Sequence, residues 1–266
     1  MIHYVTIDSF DELTKFISDQ QFDPDLQRNR SFYLYRGITN ANFHLETSLS
    51  RNCKDKQRYL ESPILRNFSK YAASEVSMQD ASIWRQMAIG QHHGLPTRLL
   101  DWTFSPLMAM HFSTCDENLS DMDRHDAAVW KIDVSELNRL LPPAYQEVLE
   151  QEKAYFFTID MLNGLAHNTS AYDRDMGSKS MVLLEPPSID QRIINQYSYF
   201  SVVPLGISSV EQFLDEQTDN TVCYIIPKEM KWRLRDMLDQ MNINERIAFP
   251  GLDGLSSWVK RHYYVK

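Results

Sequence analysis

Residues 91–103 read Gln91-His92-His93-Gly94-Leu95-Pro96-Thr97-Arg98-Leu99-Leu100-Asp101-Trp102-Thr103. Connecting segments usually carry small polar turn residues. This one carries two imidazoles, a guanidinium, a carboxylate and an indole. Leu95, Leu99, Leu100 and Trp102 have to pack inward, which draws their polar neighbours toward the interior. A buried Arg98 or Asp101 is costly unless paired, and Asp101 can accept from Arg98 or from Arg36. One reading is therefore an internal ion pair that fixes a loop between two helices. The other starts from a surplus of donors, because Asp101 cannot satisfy Arg36, Arg98, His92 and His93 together. Spare guanidinium and imidazole donors around a partly apolar hollow suit a phosphate or pyrophosphate. Gly37 and Gly94 would let the backbone approach such a ligand closely.

Other chemistries find little support. Adjacent histidines on a loop diverge and seldom bind one ion together, and there is no H-E-x-x-H, so no metal is expected. Cys53, Cys115 and Cys223 are widely spaced and form no C-x-x-C, which fits three reduced, mostly buried thiols of a cytoplasmic protein. G-x-S-x-G, G-x-G-x-x-G and G-x-x-x-x-G-K-[ST] are all missing, which removes the hydrolase elbow, the dinucleotide Rossmann turn and the P-loop.

The elements that must position these residues follow from periodicity. His3–Ile7 reads as a strand. Ser9-Phe10-Asp11-Glu12 reads as a capping box opening a helix that ends near Gln20. Ser31–Gly37 is aromatic-rich and reads as a buried strand carrying Arg36. Residues 52–90 look helical and locally basic, with Lys54, Lys56, Arg58, Arg66 and Lys70; a solvated helix face explains such a run. Ser105 caps a helix with Pro106 in its first turn, and residues 116–126 read as an acidic surface loop. Residues 128–134, 181–185, 199–203 and 221–226 read as strands. Ser208-Ser209-Val210-Glu211 opens a short helix, and residues 228–241 and 252–263 give two more, the first with a methionine stripe that belongs in a core. The fold class is α+β, with helices of the first half packed on a mixed or antiparallel sheet completed by the second half.

Composition bounds the rest. The chain has 266 residues, 43% of them apolar, with 27 Lys+Arg against 36 Asp+Glu for a net charge of −9. That balance argues against a general duplex-DNA binder, whose affinity comes from phosphate neutralisation. No apolar run is long enough to span a membrane, and the start lacks the pattern of a secretory signal. No repeat or linker is visible, so a single domain over 1–266 is expected, with a core over about 30–260 and an N-terminal strand and helix over 1–25.

Several segments resemble the FRG domain family, named for its Phe/Tyr-Arg-Gly motif. They are Tyr35-Arg36-Gly37, Asn42–Leu45 with Thr47–Arg51, the block 91–103 with Ser105-Pro106, Arg192–Gln196 before Tyr199-Phe200, and Phe249–Leu255. Tyr35-Arg36-Gly37 is also similar to the first motif of Arg–Ser–Glu-type mono-ADP-ribosyltransferases. The third motif of those enzymes carries a Glu, where this chain has Gln196-Tyr197-Ser198; Glu185 is the nearby substitute.

The resemblance implies an NAD-binding, ADP-ribosyltransferase-like enzyme or an NAD-cleaving toxin or defence effector of bacterial or phage origin. In that reading Arg36, His92, Asp101, Gln196 and Glu185 carry the chemistry. Tyr35, Arg36, Gly37, His92, His93, Thr97 and Arg98 hold NAD. The alternative is a non-catalytic module of a conflict system that binds a nucleotide, RNA or a protein, with the basic stretch over 51–70 as its contact face.

Overall fold

The computed structural model describes residues 1–75 and 81–266. Nine strands lie among them: β1 (His3–Thr6), β2 (Gln21–Asp23), β3 (Arg28–Arg30), β4 (Tyr33–Ile38), β5 (Leu99–Thr103), β6 (Ala127–Asp133), β7 (Val182–Leu184), β8 (Ser198–Val202) and β9 (Val222–Ile226). Seven form one sheet in the order β1-β9-β6-β4-β5-β8-β7, and β2 and β3 form a separate hairpin. β1 runs parallel to β9, while the other neighbours in the large sheet are antiparallel. The chain is thus α+β with a mixed sheet. The middle of that sheet, β6-β4-β5, comes from residues 33–133, and the second half completes it.

The sheet is covered on both faces, and side-chain alternation sorts its residues between them. On one face Leu34, Leu100, Trp102, Trp130 and Ile132 join a single apolar cluster. On the other, Tyr33, Tyr35 and Val129 pack with Ile7, Phe16 and Leu234. β6 is buried along its whole length, as a strand at the middle of a covered sheet must be.

The helices begin at the expected caps. Ser9 Oγ accepts from the Glu12 amide ahead of helix Phe10–Ser18, while the Glu12 carboxylate takes the Lys15 ammonium at 2.6 Å rather than closing a capping box. Ser105 Oγ accepts from the Met108 amide ahead of Pro106–Ser113, while Val210–Gln217 is capped by Ser209, one residue past the Ser208 that the Ser208–Glu211 capping box implies. The stretch expected to be helical over 52–90 is resolved into Ser48–Cys53, Gln57–Ala72 and Ile83–His92; residues 76–80 of it lie outside the described residues. Between β6 and β7, helices at Pro143–Glu152, Ile159–Leu165 and Thr169–Met176 were not anticipated.

One expectation is overturned at the centre. The block 91–103 does not cross from helix to helix as a loop; its last five residues are β5. Leu99, Leu100, Trp102 and Thr103 suit a strand buried on both faces, and Asp101 is its one exposed residue. Gly37 borders a cleft, as expected, and has a packing role besides. A Cβ there would stand 1.9 Å from the Ala109 carbonyl oxygen and 2.6 Å from the Ser113 amide nitrogen. The glycine lets helix Pro106–Ser113 lie directly on β4.

Candidate functional site

β4 and β5 pair at a single register position, Tyr35 opposite Thr103. Away from that point their ladder stops, and side chains take over the edge of β5. Arg36 Nη1 donates to the main-chain oxygen of Asp101 at 2.7 Å and stands 3.7 Å from its Oδ2. A cleft of about 840 Å³ opens beside this contact, a size typical of small-molecule sites. Arg36, Arg51, Arg192, Asp101, Gln196 and Phe112 are among its walls.

The cleft has more positive charge than its own acids balance. Arg36 is only 24% exposed, and its Nε is buried with no partner. Burial lowers its pKa, Asp101 pulls it back up, and neighbouring Arg51 lowers it again. Arg192 repeats the pattern: its Nε is also buried and unpartnered, its guanidinium lies 4.9 Å from the Phe249 ring centroid, and Nη1 reaches the His92 carbonyl at 3.4 Å. Against these three cations the cleft offers Asp101 and Glu46, and Glu46 already accepts from Ser50 Oγ at 2.7 Å. Among the described residues neither Arg51 nor Arg192 has an ion pair. Buried guanidinium donors without acceptors are costly.

Asp101 is held from its other side. Thr97 Oγ1 donates to Gln91 Oε1 at 2.6 Å, which fixes the orientation of that amide, and Gln91 Nε2 donates to Asp101 Oδ2 at 2.7 Å. Helix Ile83–His92 thereby sets the carboxylate that faces Arg36. Gly94 also borders the cleft, and its φ of +82° ends this helix, with the Leu95 amide bonding back to Gly90 at 2.8 Å.

The far wall is the short helix Gln191–Asn195 with Gln196. Thr103 Oγ1 donates to the Gln196 carbonyl at 2.6 Å, tying this wall to β5. Gln196 Nε2 donates to the Ala248 carbonyl at 2.9 Å, and Asn195 Nδ2 to that of Ile247 at 2.8 Å.

Several residues expected at the site stand elsewhere. Arg98 does not meet Asp101. Residues three apart along an extended chain point to opposite faces, and Arg98 is buried on its own side, with Nε and Nη2 on the two oxygens of Glu61 and Nη1 on Asp173. Burial lowers its pKa, but the two carboxylates outweigh this and raise it. Thr97 is buried and spent on Gln91, the Leu99 amide and Ser48, so it positions rather than binds. Tyr35 borders the cleft, but its ring is 1% exposed and packs edge-on against Phe16 at 5.7 Å.

The remaining three lie off the cleft. His92 bonds through Nε2 to Asp190, whose other oxygen caps helix Gln191–Asn195. Burial lowers the His92 pKa, with Asp190 acting in the opposite direction. His93 is exposed and lies edge-on to His92. Glu185 is exposed at the end of β7, the far edge of the sheet, and does not border the cleft. The cleft thus brings together Arg36, Asp101 and Gln196 and leaves His92, His93, Arg98 and Glu185 outside.

Arg192, Arg51 and Gln91 were not singled out for the site. Each sits inside a segment that carries the family resemblance, and that was the available signal. Comparison with known proteins agrees on the family: residues 31–122 match the FRG domain. No curated protein matches the chain, and no solved structure does. Among the described residues no helix is long and apolar enough to cross a membrane.

Proposed function

From the FRG domain that this chain carries over residues 31–122, we propose that the cleft beside Arg36 binds a phosphorylated nucleotide, with NAD the ligand that best matches its groups. The observation that carries this reading is the cluster of Arg36, Arg51 and Arg192 around one cleft whose lining offers two carboxylates, Asp101 and Glu46. Guanidinium forks match the oxygens of a pyrophosphate in geometry and charge. Phe43, which is exposed, and Phe112 offer flat apolar surface to a base.

If the site also cleaves NAD, the C1′–N bond of the nicotinamide riboside breaks with its electron pair leaving on nicotinamide. Water then adds to the ribosyl cation and releases a proton. Of the two carboxylates of the cleft, Asp101 is the one beside Arg36 and oriented by Gln91, and it would stabilise that cation. An NAD-cleaving chain would act as a toxin or defence effector by consuming the cofactor.

Titration calorimetry with NAD tests the binding. Heat of binding is expected for the wild-type chain, with a roughly 10- to 100-fold weaker affinity in Arg36→Ala, and no heat from the wild-type chain at millimolar NAD would reject the reading. Release of nicotinamide, lost in Asp101→Asn while binding persists, tests the chemistry. One observation favours binding without chemistry: the amide of Gln196 borders the cleft, and the carboxylate of Glu185 does not. On that second reading NAD binds and no nicotinamide is released.

A further inference from the structure

We infer that the outer face of helix Gln57–Ala72, with the turn that precedes it, is a track for single-stranded nucleic acid. Arg51, Lys54, Lys56, Arg58, Arg66 and Lys70 are all exposed there. Among the described residues none of the six is in an ion pair. Residues 51–72 contain two carboxylates, Asp55 and Glu61, and Glu61 is buried on Arg98. In a chain of net charge −9 this is a local reversal of sign.

The helix separates its faces cleanly. Glu61 and Leu65 point inward. Tyr59, Arg66 and Lys70, at i, i+7 and i+11, fall on the opposite stripe. Tyr59 is 79% exposed and Tyr71 is 73% exposed, and the Lys70 ammonium lies 5.1 Å from the Tyr71 ring centroid. A purely solvating face has no use for bare phenol rings beside its cations. Flat rings interleaved with cations stack unpaired bases and hold the phosphates between them. A duplex hides its bases and would bring a long rod of phosphates against an otherwise acidic chain. An acidic protein would use the cations but leave the rings idle. Arg51 borders both the track and the cleft, so a bound strand would lie at the cleft mouth.

The test is fluorescence anisotropy of a labelled twelve-nucleotide oligouridylate with the full chain, in parallel with NAD calorimetry. Binding is expected at 50 mM salt and should weaken about 100-fold by 200 mM, as four or five phosphate contacts on a single strand require. Arg66→Glu with Lys70→Glu should weaken it at least 10-fold, and Tyr59→Ala about 5- to 100-fold. All three side chains are solvent-facing and off the cleft, so NAD binding should be unchanged in these variants. No oligouridylate binding at 50 mM salt, full retention in the double variant, or displacement by poly-glutamate at equal charge concentration would overturn the inference. Oligouridylate binding without NAD binding would instead reject the nucleotide reading alone.

Discussion

The Arg36 guanidinium donates to the main-chain oxygen of Asp101 at 2.7 Å, and the carboxylate of the same residue is fixed by Gln91 at 2.7 Å. One residue of β5 therefore anchors the arginine through its backbone and faces it through its side chain. This division assigns different consequences to substitutions that the sequence alone would group together.

Arg36→Ala should leave the fold intact, because the contact it removes lies at a strand edge with one register pair. Nucleotide affinity should drop by 10- to 100-fold, as loss of a charge-assisted hydrogen bond of about 1.5–3 kcal/mol implies. Calorimetry measures the affinity, and a melting temperature within a few degrees of wild type checks the fold. Gln91→Ala should lower affinity less while changing how Asp101 substitutions behave, since the two act as a unit.

Arg98→Ala should behave in the opposite way. Removing this guanidinium leaves the carboxylates of Glu61 and Asp173 facing each other with their partner gone. Breaking a buried pair in this way costs about 3–5 kcal/mol, a large part of a typical domain's stability. Denaturant unfolding should show this loss, and Asp101→Asn should show almost none. Equal destabilisation by the two would contradict the separation of Arg98 from Asp101.

Gly37→Ala tests the close approach of helix Pro106–Ser113. The added methyl carbon would meet the Ala109 carbonyl oxygen at 1.9 Å, and backbone cannot step aside as a flexible side chain can. A loss of about 1–3 kcal/mol or more is expected by equilibrium unfolding.

His111 should make stability pH-dependent. It is fully buried, Arg235 Nη1 donates to its Nδ1 at 2.7 Å, and its Nε2 has no partner. Burial first, and Arg235 second, push its pKa down to about 3. The unfolded chain takes up this proton near pH 6.5 and the folded chain does not, so stability is full above about pH 6.5 and falls as pH drops toward 3. The slope across that window should flatten in His111→Asn, whose side-chain oxygen can still accept from Arg235. Urea unfolding at a series of pH values measures it.

Much of this arrangement was legible in the sequence. The Tyr-Arg-Gly strand, the helix caps at Ser9 and Ser105, and the later strands all carry local signals that packing does not override. The block 91–103 is dense in chemistry in the sequence, yet its composition reads as a loop to its end. Its apolar residues do not alternate, because β5 is buried on both faces. The consequence was a wrong partner for Arg98, since loop geometry lets residues three apart meet and strand geometry does not. The carboxylates that do meet it, Glu61 and Asp173, lie 37 and 75 residues away, and no periodicity in one sequence connects them. The packing role of Gly37 was hidden for a similar reason: what a glycine makes room for is decided by the element that lands on it.

The matched family segment ends at residue 122, but its two strands in the main sheet do not end there energetically. β4 is zipped along its length to β6 at 127–133, and β5 to β8 at 198–202. A fragment cut at 122 would therefore carry two raw β edges, apolar on both sides, and would behave as sticky aggregate rather than as a portable module. Whatever the cleft does, the portion that defines the family borrows its walls from the remainder of the chain.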